Sequence, residues 1–471
     1  MECFPTIGLE VHAELKTRTK MFCGCLNNPE EKRPNVHICP VCLGFPGTLP
    51  VINKEAIKHI LRIGEALEGT LADLTEFDRK HYFYPDIPKG YQISQYKYPL
   101  VSGGTLYDVA LTRVHLEEDT ARSSHDKGDY SLVDFNRSGL PLMELVTEPV
   151  IHSAKEAADF ARELRLLLRT LGVSDANMEK GEMRVEANVS VSPFRSDKKN
   201  ASLPLKLGTK VEVKNLNSFR IVEKAIEYEI SRQTKALGLG EKIMQETRGW
   251  DEARQRTFSQ RSKEDAHDYR YFPDPDLPKL ELSEAAEFQS ILLPELPGEK
   301  RERYKSYGIK GEDIEMYAGD FRLGEFFDSV MKELPKERLP LASNYITSDL
   351  AGLAQGGPLE ISAKDFAALI NMLAEKKISS RGAKDILAEM FANGGSPGKI
   401  AEERNLFQKS DEGELIKIVR TIIFDNKDAA AAYASGKESS LQFFIGQGMK
   451  ETRGSANPEV LKRILMEELK K

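Results

Sequence analysis

The sequence predicts an α+β fold up to about Pro278 and an all-helical remainder. Two observations predict the first part: several segments alternate apolar and polar residues with a period of two, and Gly/Pro turns separate them from a few sharply capped helices. The third is the dominance of helical periodicity beyond Leu277, which predicts the second part.

Near the start, Ile7, Leu9, Val11 and Ala13 alternate with Gly8, Glu10, His12 and Glu14, giving a strand with one buried side and one bearing carboxylates and an imidazole. Asn53 is a candidate N-cap for the first helix. Between Ser153 and Gly172 lies a helix with a capping box of Ser153 and Glu156, an apolar stripe of Phe160, Leu164, Leu167, Leu168 and Leu171, and a terminating glycine. In the following strand Met183, Val185, Ala187, Val189 and Val191 point one way, while Arg184, Glu186, Asn188 and Ser190 form a face too polar for a core. Ser218 caps a further helix. Sheets with helices packed on one side follow, hence α+β.

Leu277 to Lys310, with Pro278, Pro294, Pro297 and many charges, reads as a junction. Residues 363–393 read as two amphipathic helices separated by Ser379, Ser380 and Gly382, after which Gly394, Gly395 and Pro397 break the pattern. The final Lys/Glu/Ala-rich part is helical, with interruptions expected at Gly446–Lys450 and Arg453–Pro458. There is no internal repeat. The domains expected are 1–292, 293–398 and 399–471.

At 471 residues the chain can bury a large core and carry appendages. No apolar run approaches a bilayer span, and Met1 to Leu9 lacks the basic flank and apolar stretch of a secretory signal, so a soluble cytoplasmic protein with no membrane partner is expected. A net charge of -7 argues against a protein that coats nucleic acid indiscriminately. Any RNA contact should be local.

Cys23 and Cys25, then Cys39 and Cys42, form a C-x-C and a C-x-x-C separated by a short loop, the spacing of a zinc knuckle. Four thiolates would close the shell of a structural Zn²⁺ that pins a loop; the alternative is four unligated thiols. His37 is an alternative ligand, Cys3 a spare, and the clustering fits a reducing compartment better than a disulfide framework.

Glu10 and His12 on one strand face would suit a hard divalent cation with phosphate oxygens, or could be an ordinary surface strand. Glu117, Glu118 and Asp119 put three acids in succession, and Glu144 sits in an apolar strand where an unpaired carboxylate is costly. A bound Mg²⁺ or a salt bridge to Arg137 would each offset that cost. The run Phe77 to Asp86 interleaves Arg79, Lys80 and His81 with Tyr82, Phe83 and Tyr84, suited to phosphates and stacked bases, or to an edge strand with core aromatics. Lys214, Asn215 and Asn217 precede a helix N-terminus, which makes either an anion site or simple capping by Ser218. The segment Gln447–Lys450 could touch RNA or act as a helix-capping loop.

Six segments in order, Ile7–Leu15, Phe77–Asp86, Leu116–Ala121, Asp134–Glu144, Glu212–Phe219 and Asp268–Leu277, resemble those of the B subunit of the bacterial-type tRNA-dependent amidotransferase. The resemblance implies a cradle similar to the glutamine synthetase fold, of mainly antiparallel sheet with helices, then a helical domain and a tail resembling the YqeY proteins. It implies that ATP phosphorylates the side-chain carboxylate of Glu-tRNA(Gln) or Asp-tRNA(Asn). Ammonia from the glutaminase partner, the A subunit, then displaces the phosphate, and the small C subunit completes a heterotrimer. Carried over by motif, Glu10, His12, Glu118 and Glu144 would hold Mg²⁺, and Lys80 would act with Glu10, Glu118 and Glu144 on the transferred phosphoryl group. Arg79, Tyr82, Tyr84, Arg137, Lys214 and Asn215 would line the nucleotide site. Strict alternation instead puts Glu117 beside Arg113 and His115, so Glu118 needs a bulge to serve as ligand. Glu186 stands where the family usually has an aspartate. The four cysteines match the members that carry zinc.

Neither a HIGH-like nor a KMSKS-like motif occurs, which counts against a class I aminoacyl-tRNA synthetase, and no P-loop signature is present. The archaeal E-type relative would need an inserted domain for which this chain is too short. No amidase Ser-Ser-Lys arrangement is evident; Ser123-Ser124 and Ser379-Ser380 read as turn residues. The competing function is a non-catalytic, zinc-containing tRNA-binding adaptor, which would gain nothing from converging carboxylates.

Overall fold

The computed structural model describes residues 3–124, 128–193, 207–262, 270–408, 412–437, 439–452 and 456–470. The chain divides into two compact units, Met1–Leu296 and Pro297–Lys471.

The first unit is built on a ten-stranded sheet. Its longer strands are β1 (Cys3–Glu14), β4 (Val109–Glu118), β5 (Pro141–Thr147), β6 (Met183–Pro193), β7 (Val211–Leu216), β8 (Glu246–Asp251) and β9 (Arg256–Ser262). They run in the order β9-β8-β7-β6-β1-β5-β4, and short strands at Val101–Ser102 and Thr70–Leu71 extend the β4 edge. Pairing is antiparallel except between β7 and β8. A separate three-stranded antiparallel sheet places β2 (Asp78–His81) between β3 (Tyr91–Ser94) and β10 (Arg270–Pro273). Asp268 and Tyr269, at the head of one family-like segment, lie outside the described residues.

Alternation along the strands decides what the large sheet buries. Ile7, Leu9, Val11 and Ala13 of β1, with Met143 and Leu145 of β5 and Val185, Ala187 and Val189 of β6, are buried on one face. Helices α1 (Lys54–Ala66), α2 (Ala154–Thr170) and α3 (Phe219–Gly238) cover that face with apolar stripes, such as Phe160, Leu164, Leu167 and Leu168 of α2. Each starts where the sequence predicts: Asn53, Ser153 and Ser218 accept from first-turn amides. Glu156 reaches back to the His152 amide rather than to Ser153, and Gly172 has φ +68. Each fully buried Leu or Phe contributes about 1.5–3 kcal/mol, so the helix-covered face supplies the stability and leaves the opposite face free to be polar.

The regular elements among the second unit's described residues are all helices, and the unit holds two apolar clusters. One is centred on Tyr304, Tyr317, Phe327, Phe366 and Leu387; the other on Leu415, Val419, Phe444, Leu461 and Leu465. The two helices expected within 363–393 are Ala363–Ala374 and Ser380–Asn393, with Ser379 as N-cap and Gly382 inside the second. The interruption expected at Gly446–Lys450 is absent: Ser439–Glu451 is one helix. Gly448 is there for packing, since a Cβ on it would meet Leu461 Cδ2 at 2.7 Å. Of the second interruption, residues 453–455 lie outside the described residues, while Asn457 caps and Pro458 opens the last helix. Ser123 and Ser124 are not turn residues but part of a short strand, Arg122–Ser124, paired with Leu132–Asp134. No described helix is long and apolar enough to cross a membrane.

Candidate active site and metal centre

The polar face of the large sheet is assembled by register. His12 of β1 lies opposite Glu144 of β5, Glu144 opposite His115 of β4, and Leu142 opposite Glu117. Because alternate side chains leave the same face, five groups from three strands converge: Glu10, His12, Glu144, His115 and Glu117. His12 Nε2 lies 3.4 Å from Glu144 Oε2, 3.5 Å from Glu117 Oε1 and 3.9 Å from Glu10 Oε1, and His115 Nε2 lies 3.4 Å from Glu144 Oε2. Glu10–His12–Glu144 and His115–Glu117–Glu144 each bring three ligand atoms within 4.8 Å of one another.

Electrostatics show what this face favours. Burial, then the neighbouring Glu144 charge, pushes Glu10 up to about 7. Burial opposes the His12 imidazolium, yet the bond to Glu144 and the charges of Glu117, Glu144 and Glu10 outweigh it and raise its pKa to about 9. Burial likewise opposes ionised Glu144, but His115 and His12 hold it well below the usual carboxylate range. The cluster therefore collects positive charge, and its mixture of carboxylate and imidazole donors fits a hard divalent cation.

Lys80 arrives from the small sheet. In β2 it lies in register with Tyr271 of β10 and Gln92 of β3. Bonds fasten β3 to β4, among them Ser94 Oγ donating to Glu117 Oε2 at 3.0 Å and Gln92 Nε2 donating to the Glu118 carbonyl at 2.7 Å. Burial disfavours the Lys80 ammonium, but the charges of Glu117, Tyr271 and Glu144 overcome it and hold its pKa above the usual lysine range. A cation thus faces the carboxylates from a second sheet.

Of the expected site residues, Glu10, His12, Glu144 and Lys80 come together, and Glu118 does not. The register of β4 against β5 runs unbroken from Glu118 to Arg113, with its only shift between Val146 and Thr147. With no bulge, Glu117 faces the cluster. Glu118 points the other way, accepting from Lys89 Nζ at 2.6 Å and the Ile93 amide at 2.9 Å. Arg79 is likewise on the opposite side of β2 from Lys80: it binds Asp274 and Asp276, each at 2.8 Å, and lies over the Tyr91 ring. Tyr82 stays near Lys80 and Gln92, whereas Tyr84 is largely exposed. Arg137 is not the partner of Glu144; it binds Asp119 at 2.6 Å and Glu14 at 2.7 Å. Lys214 flanks the face, 2.9 Å from Glu186 and 3.5 Å from Glu212, while Asn215 is exposed with φ +63. Beyond Glu14 the face runs into a cleft of about 790 Å³, lined among others by Lys16, Arg165, Asn217 and Phe219.

His115 and Tyr271 belong to the cluster although sequence reasoning did not name them as site residues. His115 was detectable by alternation from Glu117; Tyr271 lies in one of the family-like segments, but only the pairing of β10 with β2 brings it to Lys80.

The four cysteines form a second centre. All four sulfur atoms lie within 4.8 Å of one another, with Cys42 buried. The hydrogen bond from Cys23 brings Cys42 down to about 5 against the opposing effect of burial, with further help from Lys20, and the same bond pushes Cys23 up. The Cys39 amide donates to Cys42 Sγ at 3.2 Å. His37 is not part of this set; its Nε2 lies 3.7 Å from Glu31.

Residues 5–287 match the GatB/GatE catalytic domain family, and residues 325–469 match the GatB domain. Curated relatives include the aspartyl/glutamyl-tRNA(Asn/Gln) amidotransferase B subunit of Persephonella marina, 44% identical over 100% of both chains. The protein of the same name from Gloeothece citriformis is 42% identical over 98% of this chain and 97% of its own, and that from Caldanaerobacter subterraneus is 43% identical over 99% of both.

Proposed function

The chain belongs to the GatB/GatE catalytic domain family, and from that premise we propose that it carries out the ATP-dependent phosphorylation and transamidation of a tRNA-bound amino acid. Its relatives are subunits of amidotransferases, and this chain is an enzyme of that ligase class. The substrate in this reading is Glu-tRNA(Gln), Asp-tRNA(Asn) or both. The amide nitrogen comes as ammonia from a glutaminase partner, the A subunit, in a heterotrimer with the small C subunit.

The observation that carries the proposal is the meeting of Glu10, His12, Glu144, His115 and Glu117 on one sheet face beneath Lys80. A divalent cation such as Mg²⁺ held by that set would neutralise charge on phosphate oxygens. Lys80 would face the transferred phosphoryl group and offset the negative charge that develops on it. One oxygen of the substrate carboxylate attacks the γ-phosphorus and ADP leaves. Ammonia then attacks the resulting acyl carbon, phosphate leaves, and the nitrogen gives up a proton. Lys214, flanking the same face, and Tyr82, beside Lys80, are suited to position the nucleotide. The four cysteines are suited to a structural Zn²⁺, since a closed tetrathiolate shell leaves no position for a reacting group.

The test is the assembled heterotrimer supplied with each mischarged tRNA, glutamine and ATP. ADP release that requires the mischarged tRNA, followed by amide formation, is expected with one or both. Glu144→Gln should lower both by at least about a hundredfold, the loss typical of removing one transition-state charge partner, while tRNA binding persists. Full turnover by that variant would leave the adaptor reading in place of the enzyme.

A further inference from the structure

The proposed chemistry leaves a fully buried cation, Lys20, unused. Lys20 is 0% exposed and stands three residues before Cys23. An amino group buried without partners is costly, so its partners define its purpose. Nζ donates to the Ser138 carbonyl at 2.7 Å and the Phe135 carbonyl at 3.1 Å, and it lies 3.9 Å from Cys42 Sγ. A single side-chain tip therefore touches both the cysteine cluster and the 134–139 loop.

Other bonds join the same two segments. The amides of Val36 and His37 donate to Asn136 Oδ1 at 2.7 and 2.8 Å, Asn136 Nδ2 donates to the Arg33 carbonyl at 2.8 Å, and the Phe135 amide donates to Asn35 Oδ1 at 2.8 Å. The Met21 amide donates to the Gly139 carbonyl at 2.8 Å. Between these joints sits Arg137, which holds Asp119 and Glu14 at the end of the polar face. Four thiolates around Zn²⁺ leave about two negative charges uncompensated, and Lys20 is the cation beside them.

We infer that Lys20 is a positioning residue that couples metal occupancy of the four cysteines to the 134–139 loop, and through Arg137 to the Glu14–Asp119 edge of the polar face. This rests on the zinc reading above. Loss of the metal releases the four sulfur atoms from a common centre, so Cys42 Sγ is no longer fixed beside Lys20 Nζ. The loop is then held less firmly.

The purified full-length chain tests this through zinc content and amide hydrogen exchange over 134–139, before and after a zinc chelator. The unmodified chain should hold about one zinc, and chelation should speed exchange of that loop about tenfold or more, with the helices of the second unit unchanged. Lys20→Met should bind zinc about ten- to a hundredfold more weakly, the usual loss on removing a partner of the ligand shell, and its loop should exchange fast even with zinc saturating. With cobalt(II) in place of zinc, the thiolate-to-metal absorption of Lys20→Met should shift to lower energy, because loss of the nearby cation raises the energy of the sulfur electrons. If Lys20→Met fails to fold, the response of the unmodified chain decides. One zinc per chain with loop exchange indifferent to chelation overturns the coupling and leaves the metal reading standing. Failure of the unmodified chain to bind zinc overturns both.

Discussion

Glu117 and Glu118 are adjacent in sequence and point to opposite sides of one strand: Glu117 Oε1 lies 3.5 Å from His12, and Glu118 Oε2 lies 2.6 Å from Lys89. Their exchange for glutamine should separate two kinds of damage. Glu117→Gln removes a charge from the cluster and should cut ATP-dependent amide formation about a hundredfold or more with an unchanged melting temperature. Glu118→Gln leaves the half-buried Lys89 short of a counter-charge and should lower stability by roughly 1–3 kcal/mol. Turnover on mischarged tRNA and thermal denaturation of both variants check this; an inactive Glu118→Gln of full stability would return Glu118 to the site.

The same contrast holds for Arg79 and Lys80 on β2. Lys80→Ala should remove about two to three orders of magnitude in turnover. Arg79→Ala should instead cost about 3 kcal/mol, because the Asp274 side chain, 0% exposed, loses its cation. Denaturant titration and turnover measured on the same preparations distinguish the two outcomes.

Gly448→Val should loosen the second apolar cluster of the helical unit. The new side chain would enter space held by Leu461, whose Cδ atoms lie 2.7 and 3.0 Å from an added Cβ. Overpacking of this kind costs about 1–3 kcal/mol. Hydrogen exchange over the helices Glu412–Asp425 and Pro458–Glu468 should accelerate, while the strands β1, β5 and β6 of the first unit keep their protection.

His59 should make the first unit sensitive to mild acid. Its Nε2 bonds the Lys16 carbonyl at 3.0 Å, and Nδ1 is buried without a partner, so a second ring proton has nowhere to donate. Burial lowers its pKa below 6.5. The unfolded chain therefore binds more protons, and stability present above about pH 6.5 declines as pH falls below it, down to the folded pKa. Denaturation between about pH 7.5 and 5.5 should show the unmodified chain losing stability relative to His59→Leu. A constant difference across that range would show that His59 does not titrate on unfolding.

Much of the fold was legible because it rests on local periodicity. The strand at Ile7–Ala13, the caps at Asn53, Ser153 and Ser218, and the polar face of Met183–Val191 all follow from spacing and capping chemistry. Gly448 was misread because a glycine marks either a break or a close helix contact, and only the presence of Leu461 across from it chooses between them. Ser123 and Ser124 were misread because a three-residue strand has too little length for a period to be visible.

The order of motifs and the phase of each strand are written into neighbouring residues, and these were enough to nominate Glu10, His12, Glu144, Lys80 and the four cysteines. Folding alone decided that Glu117 rather than Glu118 joins them, that Arg79 turns away to Asp274, and that Lys20 bridges Cys42 and the 134–139 loop. Those outcomes depend on strand register and on contacts between residues up to 195 positions apart. Local spacing cannot encode such contacts, because they exist only once the sheets have paired.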